Sequence, residues 1–280
     1  MTKYKLHKEQ VQTLWMFWDK GENNIKDKYN KLCVEYWRKL NPDWKVNVLD
    51  DTTVSKFIPD IVNYDHLTVQ LKSDLIRVKL LNKYGGVWAD ASTLPMKRLT
   101  GNIDNITRDD VFFYRYFKRC HKTNIYVSSW FIVAKQPNNY LINKLDEGFS
   151  KKCQTKDELP YFSFHYTLGG LYKTDKRIKN SIDKLKISQN LSHSVLRGRG
   201  YPKINISNVE KQPICYKRAK KIDETAYKNY IQKYIETYEN IVENRKHTSQ
   251  NVYNFDNFIL TIIVFILLLV CYFFMKCIMR

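Results

Sequence analysis

The 280-residue chain is 44% hydrophobic, 14% aromatic and 27% charged, with only 9 Gly and 7 Pro. Low-complexity and repeat architectures are thereby excluded, and the length suits one large domain or two small ones with a buried core. Its 47 Lys and Arg against 28 Asp and Glu leave a formal charge of +19, which points to an anionic partner: nucleic acid, acidic lipid or a phosphorylated small molecule.

The N-terminal MTKYKLHKEQVQ lacks an apolar core, so no secretory signal is read there. VQTLWMFW (11–18) is a β-branched and aromatic run, expected as a buried first strand ending at Trp18. From Ile25 to Leu40, Tyr29, Leu32, Cys33, Tyr36, Trp37 and Leu40 recur at three- to four-residue spacing, which predicts an amphipathic helix closed by Asn41-Pro42. WKVNVL (44–49) alternates as a second strand and stops at Asp50-Asp51. Ser73 is the expected N-cap of a helix running to about Lys83, closed by Gly85-Gly86 and followed by the strand Val87-Trp88-Ala89. DVFFYRYF (110–117) and SSWFIVAK (128–135) read as two more strands, and 138–150, 156–173 and 175–186 as helices. Alternation of β with α over the first 90 residues predicts an α/β domain with a mainly parallel sheet.

Beyond Asn180 the chain turns polar and basic, with Arg197, Arg199 and the cluster Lys217-Arg218-Ala219-Lys220-Lys221. Residues 221–257 are expected as a charged helix and juxtamembrane linker. Residues 258–275, FILTIIVFILLLVCYFFM, carry no charge and at the helical rise would extend about 27 Å, the thickness of a bilayer's hydrocarbon core. The expectation is a single C-terminal transmembrane helix, a tail anchor with the preceding domain (1–220) on the cytosolic side and its basic runs near anionic headgroups. The six cysteines, with no C-x-x-C pair, suit a reducing compartment. The sequons at Asn105, Asn190 and Asn205 would matter only with the opposite topology.

The stretch SDLIRVKLLNKYGGVWADAS (73–92) carries the functional signal. A helix that turns back through Gly-Gly into a strand runs antiparallel to it, which brings Asp74 and Arg77, one turn apart on the helix, beside Asp90. That meeting point is the carboxyl edge of the sheet, where open α/β folds bind ligands. Two acids and an arginine there suit a divalent cation such as Mg2+ or Mn2+ together with a phosphorylated or polyhydroxylated ligand.

Ser73-Asp74, Arg77, Tyr84-Gly85-Gly86-Val87-Trp88 and Asp90-Ala91-Ser92 together resemble the DXD glycosyltransferases, in particular the capsular polysaccharide synthesis protein family. They are also similar to glycosyltransferase family 32 and to the catalytic domain of large glucosylating toxins. WMFWDKG (15–21), CVEYWRKLNPDWKVNVLD (33–50), SSWFIVAK (128–135) and YFSFHY (161–166) extend the resemblance over residues 14–175.

The resemblance implies a GT-A fold, a Rossmann-like nucleotide-sugar domain with additional helices. It implies transfer of a hexose from a UDP- or GDP-sugar to a glycan, lipid-linked or protein acceptor, with retention. Asp90 and Arg77 would be the catalytic pair, and Asp74, Arg77, Trp18, Asp50, Gly85 and Gly86 the donor contacts, with Trp15 or a core role as the alternative for Trp18. Mn2+ or Mg2+ would sit on Asp90 and Ser92, with His193 and His165 as candidate further ligands or acceptor contacts. Ser92 stands where the motif's second acid belongs and offers only a neutral oxygen. The rival expectation is a basic, membrane-anchored binding protein without activity, holding nucleic acid or anionic lipid. Nucleic acid is the less expected partner, since no RNA-recognition motif, zinc finger or helix-turn-helix is visible.

Overall fold

A computed structural model describes residues 12–116, 127–155, 157–188 and 213–217, then 224–225, 227–237 and 239–240. The chain divides into two compact units, Met1–Tyr227 and Lys228–Arg280. The first holds the elements that matter here. In the second, the described residues are helical, in the stretch expected to be a charged helix. No helix among the described residues is long and apolar enough to cross a membrane. The apolar run 258–275 and His193 lie outside the described residues.

Among the described residues the central sheet has six strands in the order β2 (Lys45–Leu49), β1 (Thr13–Phe17), β3 (Gly86–Ala89), β6 (Val127–Ala134), β5 (Val111–Tyr116) and β7 (Ile187–Ser188). β1 runs parallel to both β2 and β3, with Thr13 opposite Lys45 and Trp15 opposite Trp88. β6 runs antiparallel to β3 and β5, while β7 is parallel to β5. The sheet is mixed but parallel-rich, as expected from the first 90 residues: β2–β1, β1–β3 and β5–β7 are parallel, and only the two pairings of β6 are antiparallel. Chain length sets β6 against β5: the ten residues 117–126 between β5 and β6 are too few for the crossover that a parallel pair needs.

Local chemistry sets the helices. Asp27 caps α1 (Lys28–Leu40) by accepting from the backbone N–H groups of Tyr29 and Asn30 at 2.8 and 3.0 Å. α2 (Val69–Tyr84) starts five residues earlier than expected, capped by Thr68, so Ser73 lies inside it. Its buried residues Leu71, Asp74, Leu75, Ile76, Val78, Leu80 and Leu81 cover most of its circumference. α2 lies on β1, β3 and β6, and α4 (Tyr140–Cys153) and α5 (Ser163–Thr174) pack against it. The helix expected from residue 156 begins only at Ser163, since Pro160 biases the residue before it away from helical backbone. Its carbonyl instead accepts from the Ser163 N–H at 2.9 Å. Asp175 caps α6 (Lys176–Lys184).

Two further short pieces complete the frame. β4 (Thr93–Pro95) follows β3 directly and pairs antiparallel with β8 (Cys215–Lys217), placing Lys217 opposite Thr93. α3 (Ile103–Ile106) leads into β5. Cys33, Cys153 and Cys215 are buried.

Candidate active site at the carboxyl edge of the sheet

Trp18, Asp50 and Asp90 are each the first residue after a strand of the parallel β2–β1–β3 unit. Parallel strands finish at one edge, so these three residues share it, spaced by roughly the 4.8 Å between neighbouring strands. α2 runs back from this edge and carries Asp74 and Arg77 in its second and third turns.

Arg77 is the centre of the arrangement. Only 4% exposed, it places Nη1 2.5 Å from Asp74 Oδ1 and 2.8 Å from the carbonyl of Ser129 on β6. Its Nη2 donates to Asp90 Oδ1 at 3.1 Å and to Ser73 Oγ at 3.3 Å. The guanidinium also lies 5.0 Å from the centre of the Trp88 ring. Its Nε is buried without a hydrogen-bond partner among the described residues. One planar fork thus ties α2, β3 and β6 together, which a lysine could not do.

Asp90 is held from every side. Its backbone N–H donates to the Trp130 carbonyl at 2.9 Å, and its carbonyl accepts from the Thr93 hydroxyl at 2.6 Å. Oδ1 accepts from Trp88 Nε1 at 3.0 Å as well as from Arg77. Oδ2 accepts from the ammonium of Lys217 on β8. Burial alone would raise the Asp90 pKa; Lys217 and then Arg77 outweigh it and hold the carboxyl below its ordinary range. Asp74 goes the other way. Burial pushes it up to about 6, against the pull of Arg77 and with the Asp90 charge adding to the rise.

The remaining expected residues divide into two groups. Trp18 is half-buried against the core, its backbone N–H donating to the Leu49 carbonyl at 2.9 Å, while Trp15 is a core residue whose indole N–H reaches the Gly85 carbonyl at 3.0 Å. Asp50 Oδ1 accepts from Thr52 and Thr53 in the turn that precedes the short helix Val54–Lys56; the hydrogen bond from Thr52 leads the set that holds its pKa below normal. Gly85 and Gly86 do not reach the carboxyl edge. They open β3 at its other end, about 13 Å from Asp90 at the strand rise. There φ is +67° and +94°, and a Cβ on Gly86 would stand 2.4 Å from the Thr13 carbonyl oxygen. Their role is the turn and the close approach of β3 to β1, not ligand contact.

His165, on α5, has a buried Nδ1 without a partner among the described residues. Burial, then the charge of Arg77, pushes its imidazole down to about 4, so it is neutral at physiological pH.

The expected metal does not fit what is assembled. Among the described residues no three His, Cys, Asp or Glu side chains gather as a metal site. Asp90 has both oxygens on cations, Asp74 is turned onto Arg77, and Ser92 adds one neutral hydroxyl. A hard divalent cation takes several anionic or carbonyl oxygens, and here it would meet Arg77 and Lys217 instead.

Lys217 was missed in the sequence, where it reads as the first member of a basic surface run. The signal was Ile214-Cys215-Tyr216, a short β-like segment just before that run. Tyr114 fixes it: its hydroxyl donates to the Cys215 carbonyl and accepts from the Cys215 N–H, each at 3.2 Å. On the facing strand, Trp37 Nε1 donates to the Thr93 carbonyl at 3.1 Å, and the Tyr227 hydroxyl donates to that of Pro95 at 2.9 Å.

A parallel β2–β1–β3 unit with polar residues at its carboxyl ends defines a Rossmann-like α/β protein. The profile of the family described as Capsular polysaccharide synthesis protein matches residues 1–241, and the chain belongs to that family. It is similar to the glycosyltransferase afumC of Aspergillus fumigatus, 35% identical over 114 residues covering 35% of this chain and 29% of that protein. It is also similar to the O-glycosyltransferase braB of Annulohypoxylon truncatum, 35% identical over 96 residues covering 29% of this chain and 23% of that protein. The matches thus span less than a third of each relative's length. A solved structure titled PaToxG Glycosyltransferase is 19% identical, with 61% of this chain and 74% of that chain covered at a TM-score of 0.44.

Proposed function

We propose that the chain is a glycosyltransferase of GT-A type that moves a hexose from a UDP- or GDP-sugar to a hydroxyl of a glycan or lipid-linked acceptor, with retention at the anomeric carbon. The observation that carries this reading is the single guanidinium of Arg77 joining Asp74 and Asp90 at the carboxyl edge of the sheet, together with the family to which the chain belongs. A structural ion pair needs one acid and one base. Here two carboxylates of opposite pKa shift converge on one arginine, the kind of perturbed cluster that marks functional sites.

In this reading Arg77 and Asp90 set the floor of the donor site. Asp90 accepts from sugar or ribose hydroxyls, and Asp74 holds Arg77 in its rotamer from below. Trp18 offers its half-buried ring to the base, and the free Oδ2 side of Asp50 faces the nucleotide. The apolar run 258–275 anchors the domain to a membrane, with the acceptor presented on the cytosolic side. A binding protein without activity gives no reason for two acids of opposite pKa shift to share one arginine at this edge.

The test uses the full chain in detergent, with UDP- and GDP-sugars offered singly. One donor class should raise the melting temperature and release its nucleoside diphosphate. Asp90→Ala should lower that release about 100-fold or more. A folded wild type that neither binds nor cleaves any donor would sink the reading.

A further inference from the structure

We propose that Lys217 is a catalytic residue, supplying from within the chain the positive charge that a divalent cation would bring to the donor's diphosphate. The inference rests on the donor reading above and on the mismatch between the site and a metal.

Lys217 is not a loose surface lysine. Thr93 lies opposite it in the β4–β8 ladder, next to the Asp90–Thr93 turn, and the Ile214 carbonyl accepts from the N–H groups of Met96 and Lys97 at 2.7 and 3.2 Å. Tyr114 bonds both backbone groups of Cys215, two residues away. The ammonium therefore reaches Asp90 from a fixed strand, and its side chain is still 27% exposed. An ammonium has three N–H donors. One is on Asp90 Oδ2, and the others are available to phosphate oxygens on the open side.

Charge supports the same placement. Arg77 and Lys217 face Asp74 and Asp90, and Asp74 is the acid whose burial favours the proton, with a pKa of about 6. Near neutral pH the cluster is close to balanced, and any protonation of Asp74 turns it positive. Even when balanced, the cluster leaves Lys217 partly exposed to an incoming diphosphate, whereas an incoming divalent cation would be set a few ångströms from two fixed cations.

During transfer the bond between the sugar C1 and the diphosphate oxygen breaks, and its electron pair leaves with that oxygen. The acceptor's hydroxyl oxygen bonds to C1 and its proton passes to water. The released nucleoside diphosphate carries one more negative charge than it did in the donor. Lys217, hydrogen-bonded to that diphosphate and aligned by Asp90, stabilises the charge as it develops.

The experiment measures diphosphate release from UDP-glucose, UDP-galactose, UDP-N-acetylglucosamine and GDP-mannose by the full chain, in EDTA and in Mn2+. The wild type should work in EDTA within two-fold of its rate in Mn2+. Lys217→Met should lower kcat about 100-fold in both buffers, and Lys217→Arg should return it to within about ten-fold of wild type. A wild type silenced by EDTA and restored by Mn2+ overturns the inference while leaving the donor reading intact, and needs no variant to fold. Unchanged activity in Lys217→Met, or equal loss in Lys217→Met and Lys217→Arg, also overturns it. Release from no donor in either buffer overturns the donor reading and this inference together.

Discussion

The two ends of β3 lie about 13 Å apart and are built on opposite principles. At Gly86 the backbone of β3 comes so close to Thr13 that no side chain fits, and the local interactions are steric. At Asp90 the space is filled with charge: two acids and two bases, linked by Arg77 and Lys217. The Tyr84-Gly85-Gly86-Val87-Trp88 block is therefore a device of shape, and the acids on either side of it are a device of chemistry. A sequence motif that spans both runs the two together.

Substitutions separate them, and the largest effect belongs to the charged end. Arg77→Met leaves Asp74 and Asp90 without their shared partner, which should cost about 3–5 kcal/mol and abolish donor turnover. In a chain of this size that is a loss of melting temperature on the order of 10 °C. A variant that keeps its melting temperature would show that the fork is not what holds α2 to β3 and β6. At the shape end, Gly86→Ala forces a Cβ against the Thr13 carbonyl at φ +94°, a destabilisation of about 3 kcal/mol from strain and overlap. The activity of each folded molecule should be unchanged. If turnover per folded molecule drops as well, the division between the two ends fails.

The smallest effect is in pH. Asp74 has a folded pKa of about 6 against an ordinary 3.8, so its contribution favours folding at low pH and is lost as pH rises through 6. His165 has a folded value of about 4 against an ordinary 6.5, so its contribution is full above 6.5 and lost as pH falls through 4. The two oppose each other between pH 4 and 6, and the wild type should be nearly flat there by denaturant unfolding. Asp74→Asn should make stability rise with pH, and His165→Gln should make it fall. Each slope is at most about 1.4 kcal/mol per pH unit. Slopes of the same sign in the two variants would contradict the assignment.

Much of this was legible in the sequence because local rules and tertiary packing agree. The apolar spacing of α1, the alternation of β2 and the Gly-Gly stop after α2 each survive in the fold. The meeting of Asp74, Arg77 and Asp90 followed from counting turns. The start of α2 did not, because a helix buried on most faces shows no amphipathic onset, and Ser73 ranks above Thr68 as a cap by type. The antiparallel β6 was hidden for a similar reason: apolar strands look alike whichever way they run. Lys217 was hidden by distance. Nothing near it in sequence signals Asp90, 127 residues earlier.

That distance has a consequence for how the protein comes to be made. The lysine that completes the carboxylate's partners arrives with the last described strand of the first unit, and a ribosome adding about 5–20 residues per second delivers it some ten seconds after Asp90. A nascent chain holds its acids at the sheet edge with only the arginine for company. Pairing across so many residues is slow to form, so the site closes as a late event in folding. Enzymatic competence should then appear as a separate step, behind the formation of the central sheet.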